Sequence, residues 1–411
     1  MLTTKTPLGL PPEIEVFETL IKEKGAHLLA NYLATYKDCF VRKQQLIYFQ
    51  SFIKGLLSDL ERKTIEPIAS AFLGEIAVRG MQQFFTRSKG WDEFVRKNHH
   101  RQLAQQLAEP NGLISVDERH FTKKGKDSAG VAQQYSGILG KKEGCQAGIF
   151  VSYASDKGTG LVDSCLHLPE VWFTEDYQEK RKACKIPPEQ VFKTKTEIAN
   201  EMISDLIEEQ LFNVKCIGCC TIFGSNHTFL DNIPHPIYYF ASVRESERIF
   251  YLEANERPIR MGDIVEDESI PWVNIVCEGT EEKEPLIVQI KSFRCKSSRK
   301  KSQLYIPKSE IWGYIRKHED GSINYFISNM EKQTEIKELD RLARARLSVE
   351  QCFYDCHILG MSHYETRSYQ AWHRHMLLVM IAALFITILR DFINDIPLAN
   401  NANSLLEQAL Y

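Results

Sequence analysis

The sequence has no apolar run long enough to cross a lipid bilayer, which takes about twenty residues. Its longest apolar run, Met376–Leu389, has fourteen residues and ends before Arg390 and Asp391. A run of this length is typical of a helix buried on all its faces in a protein core. We therefore expect a core helix here and no membrane partner.

A strong excess of one charge is also missing. The 411 residues include 51 Lys and Arg against 54 Asp and Glu, so the formal net charge at pH 7 is -3. A chain that held a polyanion over its whole surface would be strongly basic, and so any such site in this chain must be local. Hydrophobic residues make up 43% and charged residues 26%, which excludes a disordered or collagen-like chain and allows a sizeable core.

The sequence shows no secretory leader, internal repeat or low-complexity tract. Residues 1–12 lack a basic segment followed by an apolar one, and the eleven cysteines are spaced irregularly. Disulfide frameworks are built in secreted proteins, so we expect a cytoplasmic protein with reduced thiols.

The residues that are present predict an α/β protein in four segments. Residues 1–110 have few glycines and the three-to-four spacing of apolar residues that amphipathic helices show. Short β-like runs and a helical pattern alternate over 111–233, which indicates an α/β core. Residues 234–330 are rich in β-branched and aromatic residues between turn residues, which predicts a mostly β insertion. The helical pattern returns over 331–411.

Individual elements can be placed within these segments. The runs Leu113–Val116 and Ala147–Tyr153 predict strands, and Thr196–Leu211 has helical spacing. The small, apolar stretch Val214–Ile222 predicts a buried central strand. The strands predicted in the insertion are Ile237–Val243, Trp272–Val276, Leu286–Phe293 and Tyr325–Ile327.

Asp117 ends the first predicted strand and is followed by Glu118 and by the basic cluster Lys123, Lys124 and Lys126. A carboxylate on a rigid strand end is a good ligand for a hard cation, and nearby lysines can hold phosphates. The alternative is a strand-ending acid followed by a solvated basic turn.

Glu350 lies in a helical pattern, four residues after Arg346 and three before Phe353. This spacing projects an acid, a base and an aromatic side chain from one helix face. The alternative is an ordinary exposed ion pair between Arg346 and Glu350, which is common and weakly stabilising.

Cys216, Cys219 and Cys220 form a Cys-x-x-Cys-Cys run that could supply part of a zinc site, with further ligands from the segment Cys352–His357. The spacing does not match a zinc knuckle, and the run is otherwise apolar. Because cysteine is among the residue types most often buried, we expect these thiols to pack in the core.

A local basic stretch lies in the insertion, where Lys296, Arg299, Lys300 and Lys301 follow Phe293. Basic side chains beside aromatic ones suit contacts with a DNA backbone and stacking on bases. The alternative is a solvated surface loop.

Five blocks of the sequence follow one another in a familiar order. They are Val116–Gly137 with Gly144–Gly148; His167–Trp172 with Pro187 and Lys195; Phe223–Gly224 with Phe229–Asp231; Tyr325–Asn329; and Arg346–Phe353 with Gly360–Arg367 and Trp372–His375. In these blocks, and over nearly its whole length, the chain resembles the bacterial insertion-sequence transposases of the DDE superfamily.

The resemblance implies a fold. It is an RNase H-like α/β core interrupted by the mostly β insertion, with an N-terminal helical domain in a DNA-binding or accessory role and with C-terminal helices. Residues 111–233 would form the first part of this core, and residues 331–411 would complete it with the catalytic-Glu helix and a buried C-terminal helix.

The resemblance also implies three catalytic positions. Asp117 matches the first catalytic carboxylate and Glu350 matches the last, and both would be metal ligands. The second carboxylate is expected four residues before Gly224, where this sequence has Cys220. A thiol is a soft ligand and is usually protonated, so it suits Mg²⁺ poorly.

Positions that contact DNA follow from the same resemblance. Lys123, Lys124 and Arg346 would lie against phosphates. The lysine expected seven residues after the last carboxylate is replaced by His357, and the tyrosine expected seven residues before it is replaced by Ala343. Only Arg346 survives from that accessory set.

The implied function is strand cleavage and transfer at the DNA ends of an insertion sequence, supported by two Mg²⁺ ions about 3.5–4 Å apart. Mn²⁺ would be a substitute because it tolerates softer ligands. The partners would be double-stranded DNA at the element ends, target DNA and a second copy of the chain, so that the protein would associate with the nucleoid when bound.

Three functions are open at this point. They are a transposase weakened by Cys220, a catalytically dead DNA-binding remnant or repressor of transposition, and an unrelated zinc protein. The departure at Cys220 favours loss of activity, whereas the cysteine spacing disfavours zinc.

Overall fold

The computed structural model describes residues 24–136, 141–252, 257–277 and 286–394. The helical pattern predicted before residue 24 and the end of the last predicted segment, after residue 394, lie outside the described residues.

Helices fill the first part of the described chain. They are α1 (24–34), α2 (Lys43–Leu56), α3 (Ile65–Leu73), α4 (Val78–Thr86) and α5 (Trp91–Leu107). Aromatic rings join them: Phe84 stacks on Trp91 with ring centroids 4.4 Å apart, and the centroids of Phe52 and Phe85 lie 4.6 Å apart. These rings give the helices a shared aromatic core.

Strands and helices then alternate. The elements are β1 (Leu113–Thr122), β2 (Ala132–Ser136), β3 (Lys141–Ser155), β4 (Gly158–His167), α6 (Gln178–Ala183), α7 (Lys195–Glu209), β5 (Cys216–Cys219), α8 (Thr221–Gly224), α9 (His227–Asp231) and β6 (Tyr238–Val243).

The rest of the described chain is first β and then helical. It contains β7 (Arg248–Tyr251), β8 (Ile259–Arg260), β9 (Val273–Cys277), β10 (Leu286–Lys301), β11 (Leu304–Lys317), β12 (Ile323–Ser328), α10 (Ile336–Ile358) and α11 (Tyr369–Asn394).

All the strands of the described residues belong to one twelve-stranded sheet. Its order is β2-β3-β1-β5-β6-β12-β11-β10-β7-β8, with β4 paired to β3 and β9 paired to β10. β1 runs antiparallel to β3 and parallel to β5, and β5 runs parallel to β6. The protein is therefore a mixed α/β protein in which β1 occupies the interior of the sheet.

Strand β6 lies with the parallel strands rather than with the insertion to which the sequence assigns it. Cys216 pairs with Tyr238 and Cys219 with Ala241 in a parallel ladder. On its other edge β6 pairs antiparallel to β12. The change from parallel to antiparallel pairing thus falls after β6, about ten residues later than the boundary predicted at residue 234.

Strand β5 is shorter than the nine-residue strand predicted over Val214–Ile222. It ends at Cys219, and helix α8 begins at Thr221. After the turn, α8 packs closely on β6 at Gly224, where a Cβ atom would be 2.0 Å from the backbone oxygen of Ser242. The turn brings Cys220 to the end of the strand.

Helix α11 is a core helix, as the sequence predicts for Met376–Leu389. It packs against β4, α2, α4 and α5, and its buried Arg374 donates to the backbone oxygens of Phe84 and Phe85. Among the described residues it is the one helix with the length and composition of a membrane span, and 56% of its most apolar window is buried inside the protein. Its environment is therefore the core.

Candidate active site

Asp117 lies in the interior of the sheet on β1. Its side chain is almost fully buried. Nη2 of Arg346 donates to its Oδ1 over 2.6 Å, while Oδ2 is buried without a hydrogen-bond partner. Burial raises the pKa of Asp117, and the guanidinium groups of Arg346 and Arg119 oppose that shift.

Cys220 lies beside Asp117 because β5 and β1 are neighbouring parallel strands. Its backbone N–H donates to the oxygen of Val116 over 3.0 Å, directly before Asp117 in the chain. Burial and the charge of Asp117 both raise the pKa of the Cys220 thiol. The thiol is therefore protonated at neutral pH.

Glu350 reaches the same place from helix α10. Nη2 of Arg119 donates to its Oε2 over 2.6 Å, and Nη2 of Arg346 lies 3.8 Å from its Oε1. The Glu350 side chain keeps 54% of its surface exposed, in contrast to Asp117. Asp117 and Glu350 are thus joined through a guanidinium group that each of them contacts.

A buried ionic network fixes helix α10 on the sheet. Asp340 accepts hydrogen bonds from Tyr314 and Arg316 of β11 and from Arg344 of its own helix. The Tyr314 hydroxyl lies 2.8 Å from Oδ1 of Asp340. Asp340 lies ten residues before Glu350 on one continuous helix. The network therefore fixes the position of Glu350 relative to β1.

A cleft of about 690 Å³ opens at this cluster. Cys220, Arg346 and Glu350 line it, together with the residues 242–246 at the end of β6 and directly after it. The remaining lining residues are Thr221, Ile323, Asn324, Tyr325 and Leu347. The cleft gives a solvent-borne substrate access to Glu350 and Cys220.

The donor atoms do not fit a site for two Mg²⁺ ions. Arginines occupy Oδ1 of Asp117 and Oε2 of Glu350, and the third position offers a protonated thiol. Only Oδ2 of Asp117 is buried and unpartnered in this group. Two Mg²⁺ ions need several hard oxygen ligands each, and this set does not provide them.

Some of the residues predicted to contact DNA near Asp117 and Glu350 are bonded to other groups of the protein. Arg346 is buried against Asp117. Nζ of Lys123 donates to the backbone oxygen of Tyr364 over 2.7 Å and lies 5.0 Å from the centre of its ring, whereas Lys124 is exposed. Desolvation and Arg119 lower the pKa of His357, so this residue is neutral at pH 7 and brings no lysine-like charge.

The basic stretch of the insertion runs along β10 to the tip of the β10–β11 hairpin. Lys300 and Lys301 are exposed there. Nη2 of Arg299 donates to Oδ1 of Asp231 over 2.6 Å, and Lys296 is partly buried. The structure therefore separates two solvent-facing lysines from an arginine that is already paired.

Two cysteines of the Cys-x-x-Cys-Cys run pack in the core, as expected, whereas Cys220 is partly exposed and lines the cleft. Cys216 and Cys219 are buried, and burial raises the pKa of both thiols. In the part of the chain that the structure describes, no three His, Cys, Asp or Glu side chains are arranged to hold a metal ion. A zinc centre on this run therefore has no support.

Arg119 is the residue of the cluster that the sequence reasoning missed. A signal was available, since side chains two residues apart on a strand project from the same face. Arg119 thus shares the face of Asp117, and its guanidinium lies 3.9 Å from the ring centre of Phe353.

Comparison with known proteins identifies the family. A family model described as DDE superfamily endonuclease matches residues 35–254, more than half of the 411 residues. The match includes Asp117 and Cys220 and ends before Glu350.

The chain is also similar to a probable transposase for insertion sequence element IS701 from Microchaete diplosiphon. The two are 33% identical over 113 residues, which cover 27% of this chain and 29% of that relative. The matched segment thus spans less than a third of the relative. Together with the extent of the family match, this similarity shows that the chain belongs to the DDE superfamily of endonucleases.

Proposed function

We propose that this chain is a transposase that acts on the DNA ends of an insertion sequence, and that Cys220 weakens its strand cleavage. The observation that carries the proposal is the meeting of Asp117, Cys220 and Glu350, from β1, from the turn after β5 and from α10. Cys220 and Glu350 line the cleft, and Asp117 is buried behind it, bonded to the cleft-lining Arg346. A polar group of side chains from three separate segments, open to a cleft, suits a shared reaction.

The sheet order supports an RNase H-like core. Strands β4, β3 and β1 are antiparallel neighbours, and the parallel strands β5 and β6 follow on the other side of β1. In this proposal the core takes residues 111–243, the β insertion takes 244–330, and α10 with α11 completes the core. The N-terminal helices serve as a DNA-binding or accessory domain.

Double-stranded DNA is the proposed partner, as element end and as target. The exposed Lys300 and Lys301 supply positive charge at the hairpin tip, and phosphate contacts of this kind are independent of the catalytic carboxylates. Because an element has two ends, we extend the proposal to a homodimer on the DNA.

The residues of the site divide the work between binding and positioning. Arg346 and Arg119 hold the two carboxylates in place, and the cleft beside them admits a phosphodiester. A divalent ion, if held by Asp117 and Glu350, would supply activation of the attacking oxygen or stabilisation of the leaving one. With two carboxylates and a protonated thiol present, we expect slow cleavage.

The test is cleavage of a labelled duplex that carries the end of the element encoding this chain. The original chain, Cys220→Asp and Cys220→Asp with Asp117→Ala would be compared in Mg²⁺ and in Mn²⁺, with a scrambled duplex as control. We expect slow cleavage by the original chain, faster cleavage by Cys220→Asp, and none once Asp117 is removed.

Two outcomes would count against the proposal. Equal cleavage of the end-bearing and scrambled duplexes would remove the transposase assignment. Rapid Mg²⁺-dependent cleavage by the original chain, abolished by Asp117→Ala, would keep the transposase and remove the weakening by Cys220.

A further inference from the structure

Two ion pairs place one arginine against each carboxylate of the site. Arg346 pairs with Asp117, and Arg119 pairs with Glu350, both over 2.6 Å. Two positive and two negative charges therefore balance within the cluster without any added ion.

This balance is unusual for a cluster built to hold divalent cations. Carboxylates that share a small, poorly solvated space repel one another, and bound cations normally relieve that repulsion. The proposed function expects a carboxylate where this chain has Cys220, so the site carries one negative charge fewer than that function would have. Arg119 supplies a positive charge at the outer carboxylate.

We propose that Arg119 is a positioning residue which, together with Arg346, holds Asp117 and Glu350 in place without a divalent ion, so that the site is fully assembled while metal-free. The proposal rests on the proposed function, which identifies this cluster as the catalytic site. Its test needs no DNA, so its failure is distinguishable from a failure of the transposase assignment.

The surroundings of Arg119 make it more than a surface ion-pair partner. Its side chain is 20% exposed, and its guanidinium lies over the ring of Phe353, which is itself buried. Nε of Arg119 is buried without a partner, so its hydrogen bonding is directed to Glu350 through Nη2. A stacked, half-enclosed guanidinium loses little further freedom when it binds a carboxylate.

The arrangement has a consequence for added metal. A divalent ion that bound both Asp117 and Glu350 would lie beside the guanidinium groups of Arg346 and Arg119, whose positive charges would repel it. The original chain should therefore gain little stability from Mg²⁺. Removing the charge of Arg119 and adding a carboxylate at Cys220 should make the site dependent on Mg²⁺.

The experiment is a thermal unfolding scan of the full chain in EDTA and in 10 mM MgCl₂, without DNA. The variants are Arg119→Gln, Arg119→Lys, Cys220→Asp and the double variant Arg119→Gln with Cys220→Asp. Arg390→Gln is the matched control. Arg390 of α11 pairs over 2.7 Å with Asp355, which lies on α10 like Glu350 but is not part of the cluster.

We expect Mg²⁺ to change the melting temperature of the original chain, of Arg119→Lys and of Arg390→Gln by less than about 1 °C, and to raise that of the double variant by roughly 2–4 °C. Arg119→Gln alone should respond more than Arg390→Gln. The melting temperature of the double variant in EDTA should be the lowest of the set.

A rise of several degrees for the original chain in Mg²⁺ would overturn the proposal. So would equal responses of Arg119→Gln and Arg390→Gln, since the ion pair would then be an ordinary surface contact. If the double variant does not fold even with Mg²⁺, the comparison of Arg119→Gln with Arg119→Lys and Arg390→Gln decides the question.

Discussion

Asp117 and Arg346 form a buried ion pair across 229 positions of sequence, with Nη2 of the arginine 2.6 Å from Oδ1 of the aspartate. Strand β1 contributes the first residue and helix α10 the second. Because both side chains are almost fully buried, neither can recover the lost interaction from water if its partner is removed. The pair therefore couples the sheet to the helix that carries Glu350.

This coupling can be measured with a double-mutant cycle. Asp117→Asn and Arg346→Met should each lower the free energy of unfolding by about 3–5 kcal/mol, because each leaves a buried group without its partner. The double variant should lose clearly less than the sum. Urea unfolding curves of the four proteins give the values, and additive losses would show that the two side chains do not interact in solution.

The salt dependence of DNA binding tests the hairpin tip. Replacing Lys300 and Lys301 with Gln should reduce the slope of log affinity against log salt by about 1.8, because each lysine that neutralises a duplex phosphate accounts for roughly 0.9 of that slope. Arg299→Gln should change the slope less, because its guanidinium is paired with Asp231. Fluorescence anisotropy between 50 and 200 mM salt measures the slopes of the original chain and of the two variants. Equal slopes would show that the hairpin tip is a solvated loop that does not contact DNA.

The strands of the core could be predicted where apolar runs are bounded by turns, as at Leu113–Val116 and Ala147–Tyr153, which lie in β1 and β3. Their lengths could not, because β1 continues through charged residues to Thr122. Those residues stay in the strand because β3 supplies a backbone ladder up to Cys145, opposite Thr122. A ladder contributed by a distant segment leaves no signal in the local pattern.

Strand β11 was missed for a related reason. Its first half is mostly exposed and reads as a polar turn region, whereas its second half, from Ile311, is mostly buried. Pairing with β10 holds the polar half in a hairpin, whereas β12 pairs only with the second half, from Trp312 to Lys317. The candidate site shows the same limit, since motifs located Asp117 and Glu350 but not Arg119, whose place follows from the meeting of β1 and α10.

Acid should destabilise the protein partly through His375. Burial, with smaller contributions from Lys123 and His363, lowers the pKa of this imidazole to about 4, against the hydrogen bond from Nε2 to the oxygen of Gly360. A folded pKa below the unfolded value of about 6.5 means that the unfolded chain binds the proton more readily. This contribution to stability is therefore present above pH 6.5 and is lost as the pH falls towards 4.

The expected loss from His375 approaches about 3 kcal/mol at the acid end, since each pKa unit corresponds to about 1.4 kcal/mol. His375→Gln keeps a donor for Gly360 and removes the titration, so its melting temperature should fall less steeply between pH 6.5 and 4. Thermal scans across this range compare the slopes. Parallel curves for the two proteins would show that His375 does not titrate between the folded and unfolded states.

Gly224 should tolerate no side chain, because helix α8 packs directly on β6. A Cβ atom at this position would lie 2.0 Å from the backbone oxygen of Ser242 and 3.3 Å from the Cβ atom of Ala241. Backbone atoms of a central strand cannot move aside as a flexible side chain can, so Gly224→Ala should lower the free energy of unfolding by roughly 1–3 kcal/mol. Gly125→Ala is the matched control, since no atom lies within 4 Å of the Cβ position there.

Urea unfolding of both variants measures the difference. If Gly224→Ala were as stable as Gly125→Ala, the contact between α8 and β6 would be looser in solution, and the turn that places Cys220 beside Asp117 would not depend on this glycine.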